Sequence, residues 1–359
     1  MSKPKLIIVH GMGQHTEESF KKEFIDGCRW AFDLYPGYTG KSPEEYAEII
    51  SVSYNDIFDE HRERMANRAT PILERLQLIP EMGGSFLSDA INAMTEIESE
   101  INDDDFFKTH WLDVLLYRFT TLGEVARIRL GAKISSAVGT VNGGGKRVHV
   151  LGHSLGTAVV HDCLAKLYDD DYVFGNLGNL SDVKHKLGSV HMIANTSRVL
   201  ESFVNVNKSV VKPGPGGCTY IYREYRHNLD PITWPKSFNP TDNGSWISND
   251  SWFFKRYELL MPSSITNQHG NTHNVRHYLA NPLVHQQLFK KVFGLELTDE
   301  QKLEGHDKYI GLTLAGVADE LEESLEELKT INIENVKGLI KTANALKDFV
   351  EQLGGQYDV

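Results

Sequence analysis

Short apolar segments rich in β-branched residues recur along the chain, and apolar residues at helical spacing follow most of them. Strands that alternate with helices are typical of α/β domains, because a helix carries the chain back before the next parallel strand begins. The predicted strands are 5–11, 46–56, 147–154, 189–195 and 219–227. The sequence therefore predicts an α/β fold with a mostly parallel sheet and helices on both faces.

Charge and hydropathy narrow the class of partner. The 359 residues carry a formal net charge of −12, and phosphate binding needs a basic surface, so we expect no nucleic-acid partner. No stretch reaches the roughly 18–20 consecutive apolar residues that a membrane span requires, so we expect no stable membrane span. The three cysteines, Cys28, Cys163 and Cys218, are too scattered for a disulfide framework or a metal knuckle. The N-terminus lacks a signal-peptide pattern, and a reduced, cytoplasmic location is the expectation.

The third predicted strand ends in Gly-His-Ser-Leu-Gly, residues 152–156, and a helix-like segment of small residues follows directly. A G-x-S-x-G sequence between a strand and a helix is typical of a sharp elbow that holds a nucleophilic serine above the sheet. Gly152 and Gly156 would let the neighbouring backbone pass without side-chain clashes. We predict Ser154 as the nucleophile; the alternative is a tight turn in which Ser154 caps the helix.

A nucleophilic serine needs backbone amides that stabilise the oxyanion. The amide of Leu155, directly after Ser154, is the first predicted donor. The second predicted donor is the amide of Met12, in His-Gly-Met-Gly at the end of the first strand. Gly11 and Gly13 would let this backbone turn its amides inward. An ordinary turn is the alternative, whereas a phosphate loop lacks the required glycine and lysine pattern.

The acid is expected after a strand that lies beyond the serine, because one known order of such residues is Ser, then Asp or Glu, then His. Asp230 follows the strand 219–227 and precedes Pro231. Asp182 comes one strand too early, and no predicted strand precedes Asp242 or Asp250. Asp230 is the predicted acid, with a structural Asp that caps a turn as the alternative.

The base is expected last in the chain. Four histidines are candidates: His269, His273, His277 and His285. His273 lies just before a predicted helix and is favoured, followed by His277 and His269. His153 is the nearest histidine in the sequence, but the elbow should direct its side chain away from the serine Oγ.

With these pieces in order, residues 5–290 resemble the α/β-hydrolase superfamily, particularly its lipase and esterase branches. The resemblance rests on HGMG at 10–13, GHSLG at 152–156, LDPI at 229–232 and the segment from His273 to Pro282. It implies a Ser154–His273–Asp230 triad, an oxyanion hole from the Met12 and Leu155 amides, and no cofactor or metal. The expected substrate is a small-molecule or lipid ester. A non-catalytic binding or regulatory protein, or amidase or thioesterase activity on the same residues, is the alternative.

Two segments depart from a minimal hydrolase. About ninety residues separate the second strand from the elbow, and residues 57–105 are expected to form a helical cap-like insertion. Residues 298–359 have an amphipathic pattern with an acidic polar face. We expect a hydrolase domain over 1–297 and a helical appendage over 298–359. The C-terminal helices are a candidate surface for self-association.

Overall fold

The computed structural model describes most of the chain outside the expected insertion and the C-terminal tail. The described residues are 2–11, 15–58, 117, 122–141, 144–172, 176–198, 210–228, 230, 233, 238, 240, 246, 252–259 and 273–311. Most of the expected insertion and residues 312–359 lie outside them.

Six parallel strands form one sheet, which places the chain in the α/β class. Their order across the sheet is β2-β1-β3-β4-β5-β6. The bounds are β1 Lys5–Val9, β2 Glu48–Val52, β3 Val148–His153, β4 Leu187–Ile193, β5 Thr219–His227 and β6 Phe254–Leu259.

Six α-helices have both ends within the described residues, and they lie in two layers. They are α1 Glu17–Asp33, α2 Leu122–Thr140, α3 Leu155–Leu167, α4 Val275–Ala280, α5 Pro282–Leu288 and α6 Asp299–Gly311. Side chains of α2 and α3 share a buried cluster with Ile7 and Val150. Side chains of α1, α4 and α5 share another with Leu6 and Leu151. Because successive strand residues point to opposite faces, these two clusters lie on opposite faces of the sheet.

The described start of the expected C-terminal appendage, residues 298–311, packs onto this fold through α6. Tyr309 of α6 is buried in the cluster that contains α1, and its hydroxyl accepts a hydrogen bond from Asn281. Gly305 lies directly against the ring of Tyr35.

The sheet changes direction between β1 and β3. From β1 the chain moves outward to β2, then returns past β1 to β3 and continues to the opposite edge. In open α/β sheets, ligands bind at the carboxyl ends of the strands beside such a switch point. Gly11 follows β1 and Ser154 follows β3, so the two predicted loops meet at this point.

The set of predicted strands ended at 219–227, which was wrong, because β6 follows at Phe254–Leu259 in a segment rich in Asn, Ser, Trp and Pro that was expected to be an irregular loop. Among the described strands, β6 pairs only with β5 and lies at the end of the strand order. Lys255 and Glu258 point to solvent, whereas Phe254, Tyr257 and Leu259 are buried. An edge strand keeps charged residues on its open side, and these charges concealed its apolar positions in the sequence.

Within the described part of the chain, no helix is both long enough and apolar enough to span a bilayer.

Candidate active site

Ser154 occupies a strained backbone conformation between β3 and α3, with φ 54° and ψ −129°. A positive φ is unusual for a residue with a Cβ atom, and such strain costs on the order of 1–3 kcal/mol. The Ser154 amide donates to the Ile193 carbonyl at 3.0 Å, which ties the bend to the end of β4. The serine is fully buried. This strand–turn–helix geometry is the one expected of a nucleophile elbow.

The hydroxyl groups of two threonines donate hydrogen bonds to the carbonyl oxygen of Ser154. Thr157 Oγ1 donates to this oxygen at 2.6 Å, and Thr196 Oγ1 donates to it at 2.9 Å. The amide of Thr196 in turn donates to Thr157 Oγ1 at 2.9 Å. Thr196 follows Ala194, a second residue with positive φ, at 51°. Neither threonine was predicted as part of the site, since nothing in their spacing distinguishes them from ordinary helix and loop residues.

The glycines around the elbow allow backbone to approach backbone. A Cβ atom on Gly11 would lie 2.5 Å from Ser154 Cβ and 3.1 Å from Ser154 Oγ. A Cβ atom on Gly156 would meet the carbonyls of Val9 and His10, and one on Gly152 would lie 2.9 Å from Thr157 Cα. Side chains at these positions would push β1 and the elbow apart.

Asp230 and His273 form a hydrogen-bonded pair. His273 Nδ1 lies 2.9 Å from Asp230 Oδ2 and 3.1 Å from Oδ1, so the ring donates to the carboxylate through Nδ1. Asp230 follows β5, where its amide donates to the His227 carbonyl at 3.0 Å. His273 directly precedes Asn274, which caps α4. Because Nδ1 donates to Asp230, a proton that the neutral ring gains must bind at Nε2.

The carboxyl of Asp230 is fully buried and remains acidic. Burial raises its pKa, but the charge of His273 and the hydrogen bonds from His273 and Tyr278 outweigh this effect, and the pKa falls below its ordinary value. Tyr278 Oη donates to Asp230 Oδ2 at 2.5 Å. Asp230 is therefore a carboxylate at neutral pH, as the partner of an imidazole that gains a proton must be.

Other candidate histidines lie elsewhere or have other partners. His277 is buried beside His227, and burial lowers its pKa to about 3. His285 is bonded to the Tyr35 hydroxyl and the Leu279 carbonyl. His269 lies outside the described residues, as do Asp242 and Asp250. Asp182 lies in the turn before β4, at the opposite end of the sheet from Ser154.

Of the two predicted oxyanion donors, only Leu155 lies within the described residues. Leu155 begins α3, and the first-turn amides of a helix have no acceptor within that helix, so its N–H is available to a ligand. Met12 and Gly13 lie outside the described residues. The Gly11 carbonyl accepts from His10 Nδ1 at 2.7 Å and from the Tyr54 hydroxyl at 3.0 Å. The backbone that leads into the predicted donor is therefore anchored at Gly11.

Ser154 Oγ forms no hydrogen bond with any described residue. Its hydroxyl thus makes no bond to His273, and such catalytic contacts are often long before substrate binds. Among the described residues, no group of three or more His, Cys, Asp or Glu side chains is arranged to hold a metal ion.

No family model matches this chain, and the comparison with curated proteins finds no match. One solved structure with some similarity is described as the crystal structure of an uncharacterized protein from Pseudomonas aeruginosa. The two chains are 11% identical, the alignment covers 96% of this chain and 53% of that chain, and the TM-score is 0.29. This chain thus spans about half the length of that protein. A likeness this weak supports no inference about fold or function.

Proposed function

We propose that the protein is a serine hydrolase of the α/β-hydrolase superfamily that cleaves carboxylic esters through an acyl-enzyme on Ser154. The strained φ of 54° at Ser154 is the observation that carries the proposal. Non-glycine residues keep such a conformation only where the surrounding structure enforces it, and they cluster at active sites.

The Asp230–His273 pair supports the same proposal. It supplies an imidazole whose Nδ1 is fixed by a buried carboxylate, the arrangement that a general base requires. Asp230 and Ser154 follow parallel strands of the same sheet, so both lie at its carboxyl edge. The loop that contains Gly11 adjoins this edge beside Ser154.

In the proposed reaction, Nε2 of His273 accepts the Ser154 proton as Oγ forms a bond to the ester carbonyl carbon. The Leu155 amide, together with that of Met12, stabilises the resulting oxyanion. The C–O bond to the leaving group then breaks, and His273 donates its proton to the departing alcohol. Water attacks the acyl-enzyme with His273 as base, the acid is released, and Ser154 regains its proton.

The test is hydrolysis of p-nitrophenyl esters of increasing acyl length, with and without a lipid interface, by wild type and Ser154→Ala. We expect turnover by wild type and a loss of activity of about 10³-fold or more in the variant. The acyl length with the highest kcat/KM then defines the substrate class. Full activity in folded Ser154→Ala would contradict the proposal.

A further inference from the structure

His153, the residue before the serine, contacts the backbone of the proposed base. Its Nε2 lies 2.7 Å from the carbonyl oxygen of His273, 120 residues further along the chain. A carbonyl can only accept, so His153 carries its hydrogen on Nε2 and donates it. The two imidazole rings lie 4.9 Å apart.

The surroundings of His153 keep the ring neutral and fixed. The side chain lies on the β3 face that packs against α1 and α4, between the rings of Phe20 and Tyr278. Burial lowers the pKa of His153 to about 3, and the nearby charge of His273 acts in the same direction. A neutral donor can hold the His273 carbonyl without competing for the proton that His273 must accept.

His273 needs such a hold, because its side chain is itself one-fifth exposed. Asp230 orients the ring through Nδ1, and the bond from His153 acts at a different point, the backbone carbonyl of residue 273. The bond from His153 fixes that backbone to the strand that ends in Ser154. The distance between base and nucleophile then depends on two adjacent residues, His153 and Ser154, of one rigid element.

We propose that His153 is a positioning residue, which sets the place of His273 relative to Ser154 by donating its Nε2 hydrogen to the His273 carbonyl. This inference rests on the proposed function of Ser154 and His273. It assigns the histidine of the Gly-His-Ser-Leu-Gly segment a task in catalysis apart from proton transfer.

The test compares His153→Phe, which keeps a ring and loses the donor, with His153→Gln, whose amide nitrogen reaches about as far as Nε2 of histidine. Fluorophosphonate titration counts competent sites, and kcat is expressed per titrated site. We expect His153→Phe to lower kcat by about 10- to 100-fold with little change in KM, since small displacements of a base are costly. His153→Gln should recover kcat to within about threefold of wild type.

The matched control is His149→Phe. His149 lies on the same face of β3, is also buried, and bonds to Ser189 rather than to the site. Its replacement should leave kcat per titrated site unchanged even where it lowers stability. In addition, the NMR signal of the His273 Nδ1 proton should shift in His153→Phe and stay in place in His149→Phe.

Unchanged kcat per site in His153→Phe, or failure of His153→Gln to restore it, would overturn the inference. These outcomes differ from failure of the proposed function. If Ser154→Ala abolishes turnover while His153→Phe retains it, only the positioning role is wrong. If Ser154→Ala retains turnover, the proposed function itself is wrong.

Discussion

Tyr278 donates its hydroxyl hydrogen to Asp230 Oδ2 at 2.5 Å, on the same carboxylate oxygen that lies 2.9 Å from His273 Nδ1. The acid of the proposed triad therefore has a second donor, supplied by the helix that follows the base. Tyr278 also accepts a hydrogen bond from the His227 amide at 3.2 Å, so it links α4 to the end of β5.

Replacement of Tyr278 by Phe should lower the free energy of unfolding by about 1.5–3 kcal/mol near neutral pH, because a donor to a charged group is lost. The folded-state pKa of Asp230 is lowered, so its contribution to stability is present above the unfolded pKa and is lost as pH falls through the folded pKa. The difference between variant and wild type should therefore shrink in acid. Urea unfolding at several pH values measures it, and a difference that is constant with pH would argue against this role for Tyr278.

Gly11→Ala should lower ester hydrolysis by about 10²-fold or more, because the new Cβ would lie 2.5 Å from Ser154 Cβ and displace the loop or the elbow. Gly139→Ala is the matched control: Gly139 is an exposed glycine in α2 with no atom within 4 Å of its added Cβ. It should leave activity unchanged and raise stability by about 0.5–1 kcal/mol. Equal activity in the two variants would mean that Gly11 tolerates a side chain.

Thr157→Val should lower the free energy of unfolding more than Thr196→Val does, although both threonines donate to the Ser154 carbonyl. Thr157 Oγ1 also accepts from the Thr196 amide, and its loss leaves that buried N–H unpaired at a cost of about 1–3 kcal/mol. Thr196→Val removes only a hydrogen-bond donor, which should lower the free energy of unfolding by about 0.5–1.5 kcal/mol. Urea unfolding of both single variants and the double variant checks the order, and the two losses should not be additive because the groups touch. The reverse order would contradict the geometry.

Buried histidines should make the protein acid-sensitive. Burial is the main cause that lowers the pKa of seven of them: His10, His149, His153, His161, His191, His277 and His285. These groups are neutral in the folded protein but gain protons in the unfolded chain below about pH 6.5. Stability should therefore fall as pH drops below that value, by up to about 1.4 kcal/mol per pH unit for each histidine.

His161 isolates one such contribution, because neither of its ring nitrogens has a hydrogen-bond partner among the described residues. His161→Leu should raise the free energy of unfolding by about 1–3 kcal/mol near pH 7.5, since an unsatisfied buried polar group is removed. The gain should grow below about pH 6.5, because the variant has one histidine fewer to protonate on unfolding. Urea unfolding at both pH values is the measurement, and a loss of stability at pH 7.5 would contradict the assignment.

Elements whose structure depends mainly on neighbouring residues in the chain could be predicted from the sequence. The β-branched run before Ser154 and the small residues after it predicted β3 and α3 to within one or two residues, and the predicted strand 219–227 coincides with β5. Asp230 was placed from its position after that strand, and the structure brings it to His273. The edge strand β6 was missed because Lys255, Arg256 and Glu258 interrupt its apolar residues, which therefore form neither a continuous run nor a strict alternation.

Contacts between segments that lie far apart in the chain could not be predicted from the sequence. The donor from Tyr278 to Asp230 joins residues 48 positions apart, and the bond from His153 to the His273 carbonyl spans 120. Such pairs depend on how the helices pack against the sheet, and neither hydrophobic periodicity nor motif spacing determines that packing. The structure thus adds the residues that hold the predicted ones.

Covalent labelling is the sharpest test of whether Ser154 is a nucleophile. The folded wild-type protein is incubated with a fluorophosphonate, and the modified peptide is identified by mass spectrometry. We expect a phosphonyl adduct on Ser154, no adduct in Ser154→Ala and much slower labelling in His273→Ala. Folded wild-type protein that acquires no adduct at Ser154, or labels equally fast without His273, would contradict this expectation.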